Sequence, residues 1–82
     1  MFELQDSWVW CELTIDEGYN RKNGVIFYHG FTPQQEFEIE YNETIKALSF
    51  LQENGFEITN HSETYYGEVV TYCLSRKPMI ES

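Results

Sequence analysis

Three glutamates, Glu36, Glu38 and Glu40, occupy every second position of residues 35–42, QEFEIEYN, with apolar or aromatic residues between them. In a β-strand, alternate side chains share one face and lie about 6.6–6.8 Å apart. That spacing is on the order of two nucleotide steps along one DNA strand. One interpretation is a carboxylate row that imitates phosphates for a basic protein. The other is the solvated side of an edge strand, where like charges discourage pairing with another copy.

Residue types that usually carry catalysis or bind metals are sparse. His29 and His61 have no cysteine or carboxylate at a recognisable catalytic spacing, and neither Cys11 nor Cys73 has a Cys or His at metal-ligand spacing. The sequence contains no glycine-rich phosphate loop. We therefore expect no catalytic, metal or cofactor site, and we expect that the protein is not an enzyme.

The two cysteines lie among apolar residues of two strand candidates, where small buried thiols are common. We expect a reduced pair in the core, and the alternative is a disulfide between the strands. The N-terminal segment MFELQDSWVW does not resemble a secretory signal, and no apolar run reaches the length of a membrane span. We expect a cytoplasmic protein with no membrane partner.

The composition indicates a small, acidic, folded domain. Hydrophobic residues make up 41% and aromatic residues 17% of the 82 residues, which is too many for a disordered chain. Five Lys and Arg stand against fourteen Asp and Glu, so the formal net charge is −9. A charge of that sign repels a phosphate backbone, so we expect no direct nucleic-acid binding and favour a basic partner.

Apolar residues at alternate positions predict a first strand over residues 7–15. One face of this strand carries Val9, Cys11, Leu13 and Ile15. The other face carries Trp8 and Trp10, which are left uncovered if the first face packs against a helix. A second strand is predicted over residues 24–31. Asn23-Gly24 matches a two-residue type I′ turn before it, although Gly18 is compatible with a longer loop.

Thr32-Pro33 is expected to interrupt the strand pairing, because proline cannot donate a backbone hydrogen bond. The glutamate stretch 35–42 then follows as a strand at a sheet edge and leads directly into a helix capped by Asn42. The apolar arc of this helix comprises Ile45, Ala47, Leu48, Phe50 and Leu51. Gly55 predicts the end of the helix, with Phe56 packing back against Leu51.

Residues 56–62 and 68–77 are predicted to form a final hairpin with Tyr65 and Tyr66 near its tip. The result is a single α+β domain over residues 1–82. It has two layers, a mainly antiparallel sheet in the chain order β-β-β-α-β-β and one helix packed on one face. If the glutamate stretch is not a strand, the order becomes ββαββ.

The second half of the chain resembles a known family. The matching positions are Ala47-Leu48, Leu51, Gly55-Phe56-Glu57-Ile58, Tyr72, Leu74 and Arg76-Lys77-Pro78. They are similar to the "AL..L...GWEL…Y.L.R" pattern of the DUF4177 family, small domains without assigned function, and the resemblance covers residues 44–78. Phe56 stands where the family usually carries tryptophan, and the first forty residues are longer than the single strand expected there. The resemblance implies a helix followed by a β-hairpin and implies no activity.

These observations favour a non-enzymatic interaction module, because aromatic residues dominate interface hot spots. Its predicted partner-binding residues are Trp8, Trp10, Glu36, Glu38 and Glu40, with Tyr65 and Tyr66 as a weaker second group. The partner is expected to be a basic protein, and one version is a nucleic-acid-binding protein inhibited by the carboxylate row, as by a phage-type inhibitor. The alternative is a homodimer that buries the tryptophan face. A third hypothesis, a small-ligand-binding or enzyme accessory domain, requires a pocket lined by His29 or His61.

Overall fold

Five strands and one helix follow one another in the predicted order. The computed structural model describes residues 2–18, 22–64 and 66–78. The elements are β1 Trp10–Asp16, β2 Gly24–His29, β3 Thr32–Glu38, α1 Thr44–Glu53, β4 Glu57–Thr64 and β5 Val69–Ser75. Neighbouring strands pair antiparallel in the spatial order β3-β2-β1-β5-β4. The predicted α+β two-layer fold is thereby confirmed.

The core lies between α1 and one face of the sheet. Its buried apolar residues are Trp8, Cys11, Leu13, Val25, Phe27, Ala47, Leu51, Phe56 and Leu74. Phe27, on a strand next to the centre of the sheet, contacts aromatic rings on several sides. The Trp8 ring stacks on it at a centroid distance of 4.3 Å, Phe2 meets it edge-on at 5.7 Å and Phe56 lies 6.2 Å away. Such aromatic packing holds the N-terminal segment and the helix end against the sheet.

The expectation that Trp8 shares an uncovered face with Trp10 is wrong. The backbone N–H of Trp8 donates to the carbonyl of Gln5 at 3.0 Å, which closes a turn, and β1 begins only at Trp10. The period-two alternation therefore does not extend to residue 8. The indole of Trp8 turns into the core instead, where it is only 5% exposed.

Arg76 joins this N-terminal turn to the end of the helix. Its guanidinium donates to the carbonyls of Trp8, Gln5 and Asn54 at 2.9, 2.8 and 3.1 Å, and it lies 4.5 Å from the centre of the Phe56 ring. The planar fork of an arginine can reach several acceptors at once, whereas a lysine is a single point donor. One side chain thus positions two segments that are distant in sequence.

The predicted end of the helix is confirmed. Gly55 has φ +92, and its N–H donates to the carbonyl of Gln52, while the N–H of Phe56 donates to the carbonyl of Leu51. These two bonds form a Schellman motif, whose positive φ favours glycine. Phe56 then packs into the core at 1% exposure. No helix among the described residues is long and apolar enough to cross a membrane.

The predicted start of the helix is wrong, because Asn42 does not cap it. A short 3₁₀ turn, Tyr41–Glu43, precedes α1, and the Thr44 hydroxyl donates to the carbonyl of Tyr41 at 2.8 Å. Thr44 is buried where this turn meets α1, and Ile45, expected in the core, is 66% exposed.

The third strand begins earlier and ends earlier than predicted. Pro33 lies inside β3 and does not interrupt the sheet, because β3 is an edge strand and can accommodate a residue without an N–H. A β-bulge follows at once, since Phe27 is opposite Gln35 whereas Tyr28 is opposite Pro33, which leaves Gln34 unpaired. The strand ends at Glu38, two residues before the last glutamate of the predicted row.

The predicted type I′ turn at Asn23-Gly24 is wrong, and the longer loop is correct. Among the described residues, positive φ values occur at Gly30, Gly55, Gly67 and Tyr66 only. Asn23 is buried and acts through its side chain, whose carbonyl oxygen accepts the N–H of Asp16, while its backbone carbonyl accepts the N–H of Ile39. This asparagine joins the ends of β1 and β3.

Replacing Phe27 with alanine is expected to lower the free energy of unfolding by about 3–5 kcal/mol, because it removes the central ring and leaves a cavity. Phe31 is 97% exposed and provides the matched control. Phe31→Ala should change stability by no more than about 0.5 kcal/mol. Urea unfolding followed by tryptophan fluorescence measures both values, and equal losses would contradict the central position of Phe27.

Candidate interaction surface

The sheet face opposite α1 has no second layer over it in the described chain. Directly opposed residues of antiparallel strands share a face, so the strand register defines its members. They include Trp10, Glu12, Thr14, Ile26, Tyr28, Glu36, Glu38, Thr71 and Cys73. Phe2, Leu4 and Trp8 pack with the core on the other side. We call this surface the open face.

An aromatic pair occupies one end of the open face. Trp10 of β1 and Tyr28 of β2 are direct neighbours, and their rings stack at a centroid distance of 4.1 Å with 6° between the planes. The indole N–H of Trp10 donates to the carbonyl of Gly30 at 2.7 Å. The Tyr28 hydroxyl donates to the Glu12 carboxylate. Both rings are half-buried, so they present a rigid aromatic surface to solvent.

The Tyr28 hydroxyl is held in its neutral form. Its hydrogen bond to Glu12, together with burial and the nearby carboxylate charge, raises the pKa of Tyr28 to about 12. Glu12 stands in the middle of the open face, between Ile26 and Cys73 on the neighbouring strands. Glu12 is therefore hydrogen-bonded to the aromatic end of the face and lies in the same cross-strand row as Glu36 of the acidic end.

The acidic end is an open depression of about 920 Å³ whose lining includes three carboxylates, Glu36, Glu38 and Glu40, and one cation, Lys22. Glu36 and Glu38 project from β3, whereas Glu40 follows the end of the strand. Gly24, opposite Glu38, contributes no side chain to the depression. A Cβ added there would lie 2.7 Å from the carbonyl oxygen of Phe37, so the close approach of β2 and β3 requires glycine.

The structure brings only some of the predicted partner-binding residues together on one surface. Trp10, Glu36 and Glu38 share the open face, and Glu40 lines the same depression. Trp8 lies in the core. Tyr65 lies outside the described residues. Tyr66 is fully exposed in the turn that connects β4 and β5, the two strands farthest from β3.

Sequence reasoning missed two residues: Tyr28 on the open face and Phe31 beside its aromatic end. Tyr28 and Trp10 meet because of the register between β1 and β2, which no local pattern in the sequence reveals. Phe31 is 97% exposed at the tip of the β2–β3 hairpin, beside the carbonyl that accepts the Trp10 indole. In the sequence, an aromatic residue directly after a glycine could have indicated an exposed ring at a turn. The φ of +60 at Gly30 confirms that a turn lies there.

The histidines and cysteines do not converge. His29 and His61 are both exposed and lie on β2 and β4, which β1 and β5 separate. Among the described residues, no group of three or more His, Cys, Asp or Glu side chains could hold a metal ion.

The expectation of two cysteines paired in the core is wrong for Cys73. Cys11 is opposite Leu74 and lies in the core, whereas Cys73 is opposite Glu12 and lies on the open face. Both thiols are free. Burial raises the pKa of Cys11 to about 12, and burial followed by the charge of Glu12 raises the pKa of Cys73.

Comparison with protein-family models, with curated proteins and with solved structures gives no match. The resemblance of residues 44–78 to the DUF4177 family therefore stays a prediction.

A spectrophotometric titration tests the Tyr28–Glu12 hydrogen bond. Tyr28 should ionise at about pH 12, above the usual tyrosine range, and Glu12→Gln should shift its midpoint downward because the largest cause of the raised pKa is lost. Since the folded pKa lies above the unfolded value, this contribution to stability is complete below about pH 10 and lost as the pH rises through 12. Subtracting the titration curve of the Tyr28→Phe variant from that of the native protein leaves the absorbance change due to Tyr28. An unshifted midpoint in Glu12→Gln would contradict the contact.

A thiol-labelling experiment tests the positions of the two cysteines. At pH 8 the native protein should react slowly with a disulfide reagent, because both thiols have raised pKa values and the thiolate is the reactive form. Cys73 should react before Cys11, which is fully buried. Cys73→Ser should leave one thiol that reacts only on unfolding. Mild oxidation should form no internal disulfide, and the appearance of one would contradict the assignment to opposite faces.

Proposed function

We propose that this protein is an acidic, non-enzymatic interaction domain whose open face binds a basic protein. The observation that carries the proposal is the arrangement of Glu36 and Glu38 on the same uncovered face as the stacked Trp10 and Tyr28 rings, with Glu40 lining the depression beside them. Rigid aromatic rings beside carboxylates are typical of sites that recognise cationic side chains.

The charges support a basic partner over a neutral one. A formal net charge of −9 produces a field that attracts cationic surfaces over a distance, and the carboxylates of the depression act at contact. Glu36 and Glu38 are alternate residues of β3, so their spacing is about 6.6–6.8 Å. That distance is on the order of two phosphate steps along one DNA strand. A protein that normally binds nucleic acid is therefore the partner class that we propose, with inhibition of that protein as the consequence.

The rigidity of the aromatic pair adds specificity. Trp10 and Tyr28 are fixed by their mutual stacking and by hydrogen bonds to Gly30 and Glu12. Preorganised rings lose little conformational entropy on binding. Burial of Trp8 removes one of the two indoles on which a homodimer through this face was predicted, so we favour a hetero-partner here.

Charge reversal at the depression tests the proposal. The triple variant Glu36→Lys, Glu38→Lys, Glu40→Lys should weaken binding to the partner at least about tenfold, because each attraction becomes a repulsion. The control variant Glu3→Lys, Asp6→Lys, Glu53→Lys makes the same change in net charge at exposed positions away from the depression. It should reduce binding much less.

A candidate partner is first captured from a host extract. It is studied further only if the native protein and the control variant bind it and the triple variant does not. Calorimetry with the purified partner over a salt series then gives the affinities. Circular dichroism and thermal melts should be alike for all three proteins. Equal affinities of the native protein and the triple variant would contradict the proposal.

A further inference from the structure

We propose that two copies of this chain associate through their β4 strands, which pair antiparallel and extend the sheet across a two-fold axis. This contact is separate from the open face and leaves the depression of each copy accessible.

The β4 strand has the properties of an edge that accepts another strand. It is the outermost strand on its side of the sheet, it runs for eight residues and every one of them is exposed. It contains no proline and no lysine. An exposed edge of this length presents a row of backbone N–H and C=O groups to a further strand, and natural proteins usually block such edges.

The other edge of the sheet is blocked in several ways. Both edge strands contain a bulge, at Gln34 in β3 and at Thr59 in β4, but β4 pairs regularly from Asn60 to Thr64, whereas Pro33 also removes an N–H from β3. Glu36 and Glu38 add like charges that would oppose the same residues of another copy. Of the two edges of this sheet, β4 is therefore the one suited to pairing.

The charge pattern makes β4 the edge at which two copies repel one another least. Two chains that each carry a formal charge of −9 repel one another over most of their surfaces. Residues 58–62 of β4, ITNHS, carry no formal charge, with Glu57 and Glu63 outside them. Antiparallel pairing centred on residues 60–62 brings these uncharged segments together and holds the acidic β3 edges at the far ends of the joined sheet.

Exposed apolar groups at both ends of β4 give a second, independent reason. Ile58, near the start of the strand, is 41% exposed, and Tyr66, just after its end, is fully exposed. Tyr66 also has φ +56, a left-handed value that costs energy for a residue with a side chain. In an antiparallel pair, the start of each strand meets the end of the other, so Ile58 of one copy approaches Tyr66 of the second. The contact forms twice, as expected of an isologous interface.

Sedimentation velocity over a concentration series tests the proposal with the full chain. The native protein should convert from monomer to dimer as its concentration rises. Tyr66→Gly removes the ring and tolerates the positive φ, so it should keep the fold and weaken the dimer about tenfold. Asn60→Asp with Ser62→Asp places new carboxylates next to the two-fold axis and should weaken the dimer further.

Phe31→Ser is the matched control, since Phe31 is equally exposed at the other hairpin tip and should not affect the dimer. A native protein that stays monomeric at every concentration would overturn the proposal. A dimer that persists in both β4 variants would also overturn the proposal. So would a dimer that is disrupted only by Trp10→Ala, because that result would place the contact on the open face. Circular dichroism shows whether the Asn60→Asp, Ser62→Asp variant is folded. If that variant is unfolded, the effect of Tyr66→Gly on the dimer decides whether the proposal holds.

Discussion

One short helix can cover only one face of a five-stranded sheet, and the organisation of this protein follows from that constraint. The ten residues of α1 span about 15 Å, and five strands span about 19 Å from edge to edge, so the helix and the N-terminal segment together cover most of one face and leave β4 exposed. Apolar residues gather on that face around Phe27, and the opposite face carries polar and aromatic side chains in contact with solvent. The division into a dry side and an open side gives both the stability and the available binding surface.

Local patterns predicted the parts of the fold that depend on local chemistry. The end of α1 followed from Gly55 and Phe56, because the Schellman motif needs only a residue that tolerates positive φ and an apolar residue after it. The alternation of β1 from Trp10 onward placed Cys11 and Leu13 in the core, as observed. Since each of these features is decided within a few residues, the sequence carries enough information to predict it.

Features that depend on contacts between distant residues could not be predicted in the same way. The turn that buries Trp8 is held by Arg76, which is 68 positions away in the chain. The stacking of Trp10 on Tyr28 and the hydrogen bond to Glu12 depend on the register of β1 against β2, and the position of Cys73 depends on that of β1 against β5. The alternation of the glutamate row made it a candidate surface, but its aromatic and hydrogen-bonding neighbours come from other strands.

The bulge at Gln34 has a consequence for how the length of this hairpin can vary. Side chains of a strand alternate between faces, so the one unpaired residue inverts the phase of everything after it and directs Phe37 toward the core and Glu36 and Glu38 outward. If Gln34 were instead paired with Phe27, the regular ladder continued from Pro33 would place Glu36 opposite Val25 and Phe37 opposite Gly24. Removal of Gln34 alone would leave Gln35 opposite Phe27 and keep Glu36 and Glu38 outward, so a one-residue deletion at the bulge preserves the dry and wet sides of β3. A one-residue deletion between Gln35 and Phe37 would instead exchange the sides of the residues after it.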